Sequence, residues 1–80
     1  MYIISYDDIQ RGDEVTVLVQ CGPQQSRVTG TAIGDNGMWI TLKCADGRKV
    51  PCDKVNFMWA RRYPRNGKGI PYDPISGNPI

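Results

Sequence analysis

The sequence predicts an all-β protein, a small five-stranded antiparallel barrel with a short N-terminal turn and an extended C-terminal arm. Apolar and polar residues alternate in "EVTVLVQ" and "MWITLKC", as in half-buried strands. The segments "GDNG" and "ADGR" carry tight-turn signals. A chain of 80 residues supports one domain, and closing the sheet would remove its exposed edges.

The segment "ISYDDIQRGDEV" predicts a single capped turn ahead of the first strand. Ser5 stands at the N-cap position, and Asp7 and Asp8 fall in the first turn, where the backbone dipole favours carboxylates. Gly12 then ends the turn, and Ile9 is expected to point inward.

The predicted strands follow in chain order, each bounded by turn residues. Gly30 predicts a bulge or sharp bend, and Pro51 predicts an edge strand. Phe57 and Trp59 are expected to share one face of the last strand, whereas Trp39 either packs under the loop "CGPQQS" or is exposed. The predicted ranges are 14–20, 26–33, 38–44, 48–52 and 56–63.

The C-terminal segment differs from the rest in composition. Residues 1–60 hold six Lys or Arg against seven Asp or Glu, whereas residues 61–80 hold four cations against Asp73 alone. Prolines and glycines dominate the last seventeen residues and prevent regular packing. We therefore predict a barrel over residues 1–63 and an extended basic arm over residues 64–80, which favours an acidic or phosphate-bearing surface beneath the arm.

The cysteine and histidine counts limit the chemistry. Three cysteines in a sparse pattern do not resemble a disulfide framework, so we predict a reducing, cytoplasmic location. If Asp46 and Gly47 are the central turn residues, Cys52 faces Thr41. Without histidine or a Cys-x-x-Cys pair, we predict no metal and no other cofactor.

The chain also lacks the common catalytic and membrane signals. The absence of histidine removes the Ser-His-Asp and Cys-His arrangements, and no phosphate-binding glycine loop is present. No apolar run approaches the length of a membrane span, and the N-terminus does not resemble a signal peptide. We therefore predict that the protein is not an enzyme and does not insert into a membrane.

The segments "GDEVTVLV", "SRVTGTAIGD" and "GMWITLKCADGRKVPCDKVNF" resemble the SH3-like barrel superfold in its Tudor/KOW-like bacterial or phage form. The resemblance covers about residues 9–63 and lies in the Gly-Asp-x-Val start, the mid-strand glycine, the Asp-Gly hairpin and the pair Val50 and Val55. Members of this superfold bind peptides, modified side chains, RNA or ribosomal surfaces. The resemblance therefore implies a binding function.

The favoured hypothesis is a non-catalytic interaction module. It would be an accessory subunit or small inhibitor that docks on a larger protein or protein complex through a barrel face and the arm, and homo-oligomerisation is left open. Arginine and the large aromatics dominate protein interfaces. The candidate partner-binding residues are Trp39, Trp59, Arg61, Arg62, Tyr63, Arg65, Lys68 and Tyr72.

Two alternatives remain. In the first, the chain binds nucleic acid, with the basic arm on phosphates and Tyr63 or Tyr72 stacked on bases, although the slightly acidic body argues against it. In the second, the chain is similar to the plasmid-type dihydrofolate reductase, a small SH3-like protein that binds substrate and nicotinamide cofactor in a tetramer pore. Its pore motif Val-Gln-Ile-Tyr is replaced here by "RKVPCDKV".

Overall fold

A computed structural model describes residues 2–79, with only the backbone described for Tyr2. Every strand pairing is antiparallel, and the strands form one sheet in the order β1-β6-β2-β3-β4-β5. The all-β prediction is confirmed. The strands are β1 (Tyr2–Ile4), β2 (Glu14–Cys21), β3 (Gln24–Asp35), β4 (Ile40–Lys43), β5 (Lys49–Cys52) and β6 (Phe57–Arg62).

The sheet has six strands and is open, so the prediction of a closed five-stranded barrel is wrong in both respects. β1 was missed because three residues are too short to show alternation, and its position is set by pairing with β6, where Ile4 faces Ala60.

β1 and β5 are the two edge strands of the sheet. Pro51 deprives β5 of one backbone donor, and the Tyr6 hydroxyl donates to the Cys52 carbonyl at 3.4 Å. A side chain, rather than a backbone ladder, therefore connects the turn after β1 to β5.

The N-terminal turn is a 3-10 helix at Tyr6–Asp8, as the single predicted turn implies. Ser5 does not cap it through its side chain, because its hydroxyl donates to the Asp8 carboxylate at 2.8 Å. Ile9 packs against the core. The ring of Tyr6 meets Phe57 edge-on with a centroid distance of 5.7 Å, which fixes the turn against β6.

The hydrophobic core lies on one face of the sheet and follows the predicted alternation. Val15 and Val17 of β2 are fully buried, as are Leu42, Cys52 and Ala60 on three other strands. Each of these positions alternates with a residue on the opposite face, since successive side chains of a strand point to opposite sides. The core therefore fixes which residues the other face presents.

A bulge in β6 overturns the prediction that Phe57 and Trp59 share a face. Val17 faces Phe57, but the preceding Thr16 faces Trp59, so Met58 is an extra residue in β6. Phe57 packs against the core, and Trp59 is placed on the opposite face with 40% of its surface exposed.

Gly30 is not the site of a bulge. It pairs in register with Val15, and the irregularity of β3 lies between Ala32 and Gly34. A Cβ at residue 30 would lie 3.0 Å from the Lys43 carbonyl oxygen. Glycine is therefore needed here for the close approach of β4.

All three cysteines are free, and Cys52 faces Ile40 rather than Thr41. The register differs from the prediction because the hairpin loop has one more residue than assumed, and the Cys44 amide donates to the Arg48 carbonyl at 2.8 Å. Burial, with a smaller contribution from Asp53, raises the pKa of Cys52 to about 11. Its thiol is therefore protonated at neutral pH.

The arm is folded into two successive turns and is not extended as predicted. Isolated bridges join Arg65 to Pro71 and Tyr72 to Pro79. The Tyr72 amide also donates to the Pro64 carbonyl at 3.0 Å. β6 ends at Arg62, and the independence of residues 1–63 from the arm stays a prediction. Within residues 2–79, no helix has the length and apolar character to cross a membrane.

Candidate functional site

The sheet face opposite the core carries a row of paired residues that crosses all six strands. Arg61 of β6 lies between Ile3 of β1 and Glu14 of β2. The pairing continues through β3 and β4 to β5. The complete row is Ile3, Arg61, Glu14, Thr31, Lys43 and Lys49.

Trp59 occupies the neighbouring row. It faces Thr16, which in turn faces Thr29, and the two threonine hydroxyls are hydrogen-bonded at 2.8 Å. The guanidinium carbon of Arg27 lies 5.6 Å from the Trp59 ring centroid, within cation–π range. We call the two rows together with Leu18 and its partner Arg27 the outer face: Ile3, Glu14, Thr16, Leu18, Arg27, Thr29, Thr31, Lys43, Lys49, Trp59 and Arg61.

The outer face is cationic although the body as a whole is not. It carries Arg27, Lys43, Lys49 and Arg61, and its only acid is Glu14, whose carboxylate accepts a hydrogen bond from Arg61 Nε at 2.7 Å. Every aspartate of the chain lies elsewhere, in turns, at the far end of β3, in the arm or buried on the core side: Asp7, Asp8, Asp13, Asp35, Asp46, Asp53 and Asp73. Charge is therefore segregated between surfaces.

An acidic end of the sheet surrounds the N-terminal turn. Burial raises the pKa of Tyr6, and the neighbouring charges of Asp53, Asp7 and Asp35 raise it further. Trp39, 39% exposed, lines a shallow pocket here with Tyr6 and Asp7, and so does not pack under the loop between β2 and β3. The charged row lies between Trp39 and Trp59. The two tryptophans that were predicted as contact residues therefore belong to different surfaces.

Arg62, predicted as a contact residue, forms an ion pair within the fold. Its Nε and Nη2 atoms donate to the two oxygens of Asp13 at 2.8 and 2.9 Å. Asp13 is only 2% exposed and also accepts from the Gln10 amide at 2.8 Å. The pair therefore joins the loop before β2 to the last strand.

Tyr63, just after β6, continues the outer face beyond Arg61. The hydrogen bond from Arg61 to Glu14 raises the pKa of the Arg61 guanidinium, which also lies 5.3 Å from the Tyr63 ring centroid. The Tyr63 hydroxyl donates weakly to the other Glu14 oxygen at 3.5 Å. Burial, followed by the Glu14 charge, raises the pKa of Tyr63. Trp59, Arg61 and Tyr63 are thus the predicted residues that the structure brings together.

The remaining predicted residues belong to the arm. Arg65 Nη1 donates to the Gly69 carbonyl at 2.8 Å, and its Nη2 lies so close to Gly12 that a Cβ there would be 2.7 Å away. Tyr72 is half-buried, whereas Lys68 is exposed. These three do not share a surface row with Trp59.

Several outer-face residues were missed by the sequence-based selection. Arg27, Thr29 and Thr31 alternate in "SRVTGTAI", and this spacing places them on one face of a strand. Lys43 and Lys49 flank the Asp-Gly hairpin and were not among the candidates. Only the strand register shows that these positions share a face with Trp59.

No protein-family model, curated protein or solved structure matches the chain. The resemblance to the SH3-like superfold therefore stays a prediction. Within residues 2–79, no three cysteine or acidic side chains form a group that could hold a metal ion.

Proposed function

We propose that this chain is a non-catalytic binding module that docks on a larger assembly through the outer face, with the arm as a second contact. The observation that supports this most directly is Trp59, a tryptophan on a sheet surface with Arg27 over its ring. Tryptophan and arginine are the residue types that most often carry binding energy at interfaces. An indole held in place by the sheet also loses little conformational entropy on binding.

Binding is favoured over catalysis because Asp13, Glu14 and Cys52 of the body already have structural roles. The Asp13 carboxylate accepts from Arg62 and Gln10, and Glu14 accepts from Arg61. The Cys52 thiol is buried and has a raised pKa. A general base or nucleophile needs a free, suitably tuned group beside the substrate.

The arm supplies a secondary contact. It exposes Ile70 at 43% and Ile75 at 88%, and Lys68 lies in its first turn. Its prolines and the bridges at Pro71 and Pro79 reduce the entropy that binding would otherwise remove.

Affinity capture with three baits tests the proposal. The wild-type chain, Trp59→Ala and Val55→Ala are immobilised and exposed to lysate of the native host, with and without nuclease. Val55 is a matched control because it is 94% exposed but lies in the turn before β6, outside the outer face. We expect one set of macromolecules to be retained by the wild type and Val55→Ala and lost with Trp59→Ala. Retention that does not depend on Trp59 would contradict the proposed surface.

A further inference from the structure

The two lysines at the end of the charged row lack an acidic partner. Lys43 faces Lys49 directly across β4 and β5, an arrangement in which like charges weaken a sheet. Within residues 2–79, the described ion pairs include neither lysine, and the nearby Asp46 is paired with Arg48 at 2.6 Å. A bound anion would relieve this repulsion.

The Trp59 cluster adds a stacking surface on the same face, three strands from Lys43 and four from Lys49. The indole is 40% exposed, and Arg27 lies over its ring. The hydroxyls of Thr29 and Thr31 are on the same face. Aromatic rings bordered by arginine are the usual platforms for unpaired bases, and hydroxyl groups donate readily to phosphate or base edges.

The choice of partner rests on the binding module proposed above, and these groups favour one class of molecule. We infer that the outer face binds single-stranded nucleic acid, with a base stacked on Trp59 and phosphates contacted by Arg27, Lys43 and Lys49. The strands from β6 to β5 span four interstrand steps of about 4.8 Å, or about 19 Å, which accommodates several nucleotides.

An unpaired strand fits this surface better than a duplex or an acidic protein. A duplex presents phosphates to the lysines but keeps its bases stacked away from Trp59. An acidic protein would satisfy the cations, but an unpaired strand presents phosphates and flat bases in regular succession and so matches the cations and the indole together. The overall acidity of the body does not argue against nucleic acid, because the aspartates lie off the outer face.

Fluorescence anisotropy with a labelled oligothymidylate of about 12 nucleotides, within the range that single-stranded binding domains cover, tests the inference. Contacts from Arg27, Lys43 and Lys49 predict a slope of log affinity against log salt of about −2. Trp59→Ala is expected to weaken binding about tenfold or more, whereas Trp59→Phe keeps a stacking ring and stays within a few-fold of the wild type. Trp39→Ala is the matched control and is expected to bind as the wild type does.

The lysines are tested by Lys43→Ala/Lys49→Ala, which should reduce the salt slope by about 1.4, since each phosphate contact on a single strand contributes about 0.7. Far-UV circular dichroism confirms that each variant is folded. Absence of oligonucleotide binding while Trp59-dependent capture persists would overturn this inference and leave the proposed function standing, with a protein as partner. Binding that is unaffected by Trp59→Ala and lost on deletion of residues 64–80 would also overturn it.

Discussion

The outer face and the C-terminal arm both carry cations, but they use them differently. Arg62, the last residue of β6 before the arm, is bound to buried Asp13, and Arg65 of the arm is bound to the Gly69 carbonyl. On the outer face, Arg27 lies over Trp59, and Lys43 stands opposite another lysine. Arg62 and Arg65 therefore hold the chain together, whereas Arg27, Lys43 and Lys49 of the outer face have no acidic partner among the described ion pairs. Charge density along the sequence pointed to the arm, and only the register of the strands reveals the face.

The largest expected effect comes from Arg62→Met, which leaves the buried Asp13 carboxylate without its main partner. We expect the free energy of unfolding to fall by about 3 kcal/mol, the usual cost of an unpaired buried charge. Urea denaturation measures it. Lys68→Met, at an exposed cation of the arm, is the control and should leave the midpoint unchanged. An Arg62→Met protein as stable as the wild type would show that the pair of Arg62 with Asp13 does not stabilise the fold, which would contradict the comparison.

Gly30→Ala tests the packing that aligns β3 with β4 and so places Thr31 beside Lys43. The added Cβ would meet the β4 backbone at 3.0 Å, so we expect a loss of about 2 kcal/mol. Gly34→Ala, where a Cβ would meet nothing within 4 Å, is the matched control. Equal stability of the two variants in chemical denaturation would contradict the described approach of the strands.

High pH tests the burial of Cys52 in the body. Burial raises the pKa of Cys52 to about 11, above the usual 9.0 of a thiol. The stability contributed by burying the neutral thiol is therefore fully present below pH 9 and is lost as pH rises through 11. We expect a loss of about 1–2 kcal/mol by pH 11, less than the full linkage value because solvent screens part of the effect. The pH slope of Cys52→Ala should be shallower than that of the wild type, whereas exposed Cys21→Ala should keep the wild-type slope. Identical slopes would place Cys52 in contact with solvent.

Deletion of residues 64–80 is expected to have the smallest effect on stability. The arm contacts the body through Arg65 beside Gly12, and most of its hydrogen bonds are internal. We expect a loss of about 1 kcal/mol and a cooperative unfolding transition in the truncated chain. An unfolded product would show that the arm belongs to the core and that the division at residue 63 is wrong.

The sequence predicted what depends on local patterns. Alternation in "EVTVLVQ" identified β2 and its buried valines, and the candidates Trp59 and Arg61 lie together on the outer face. It did not predict β1, whose three residues pair with β6, or the bulge at Met58, which turns Trp59 away from the core. Cross-strand neighbours such as Lys43 and Lys49 could not be predicted either, because one residue in a hairpin loop shifts every pair.

The most direct test of the account is nuclear magnetic resonance mapping of the amide and indole signals during titration with oligothymidylate. We predict that the largest shifts fall on the Trp59 indole N–H and on the amides around Arg27, Thr31 and Lys43. Shifts confined to residues 64–79, or centred on the acidic end around Trp39, would contradict the assignment of the outer face as the binding surface.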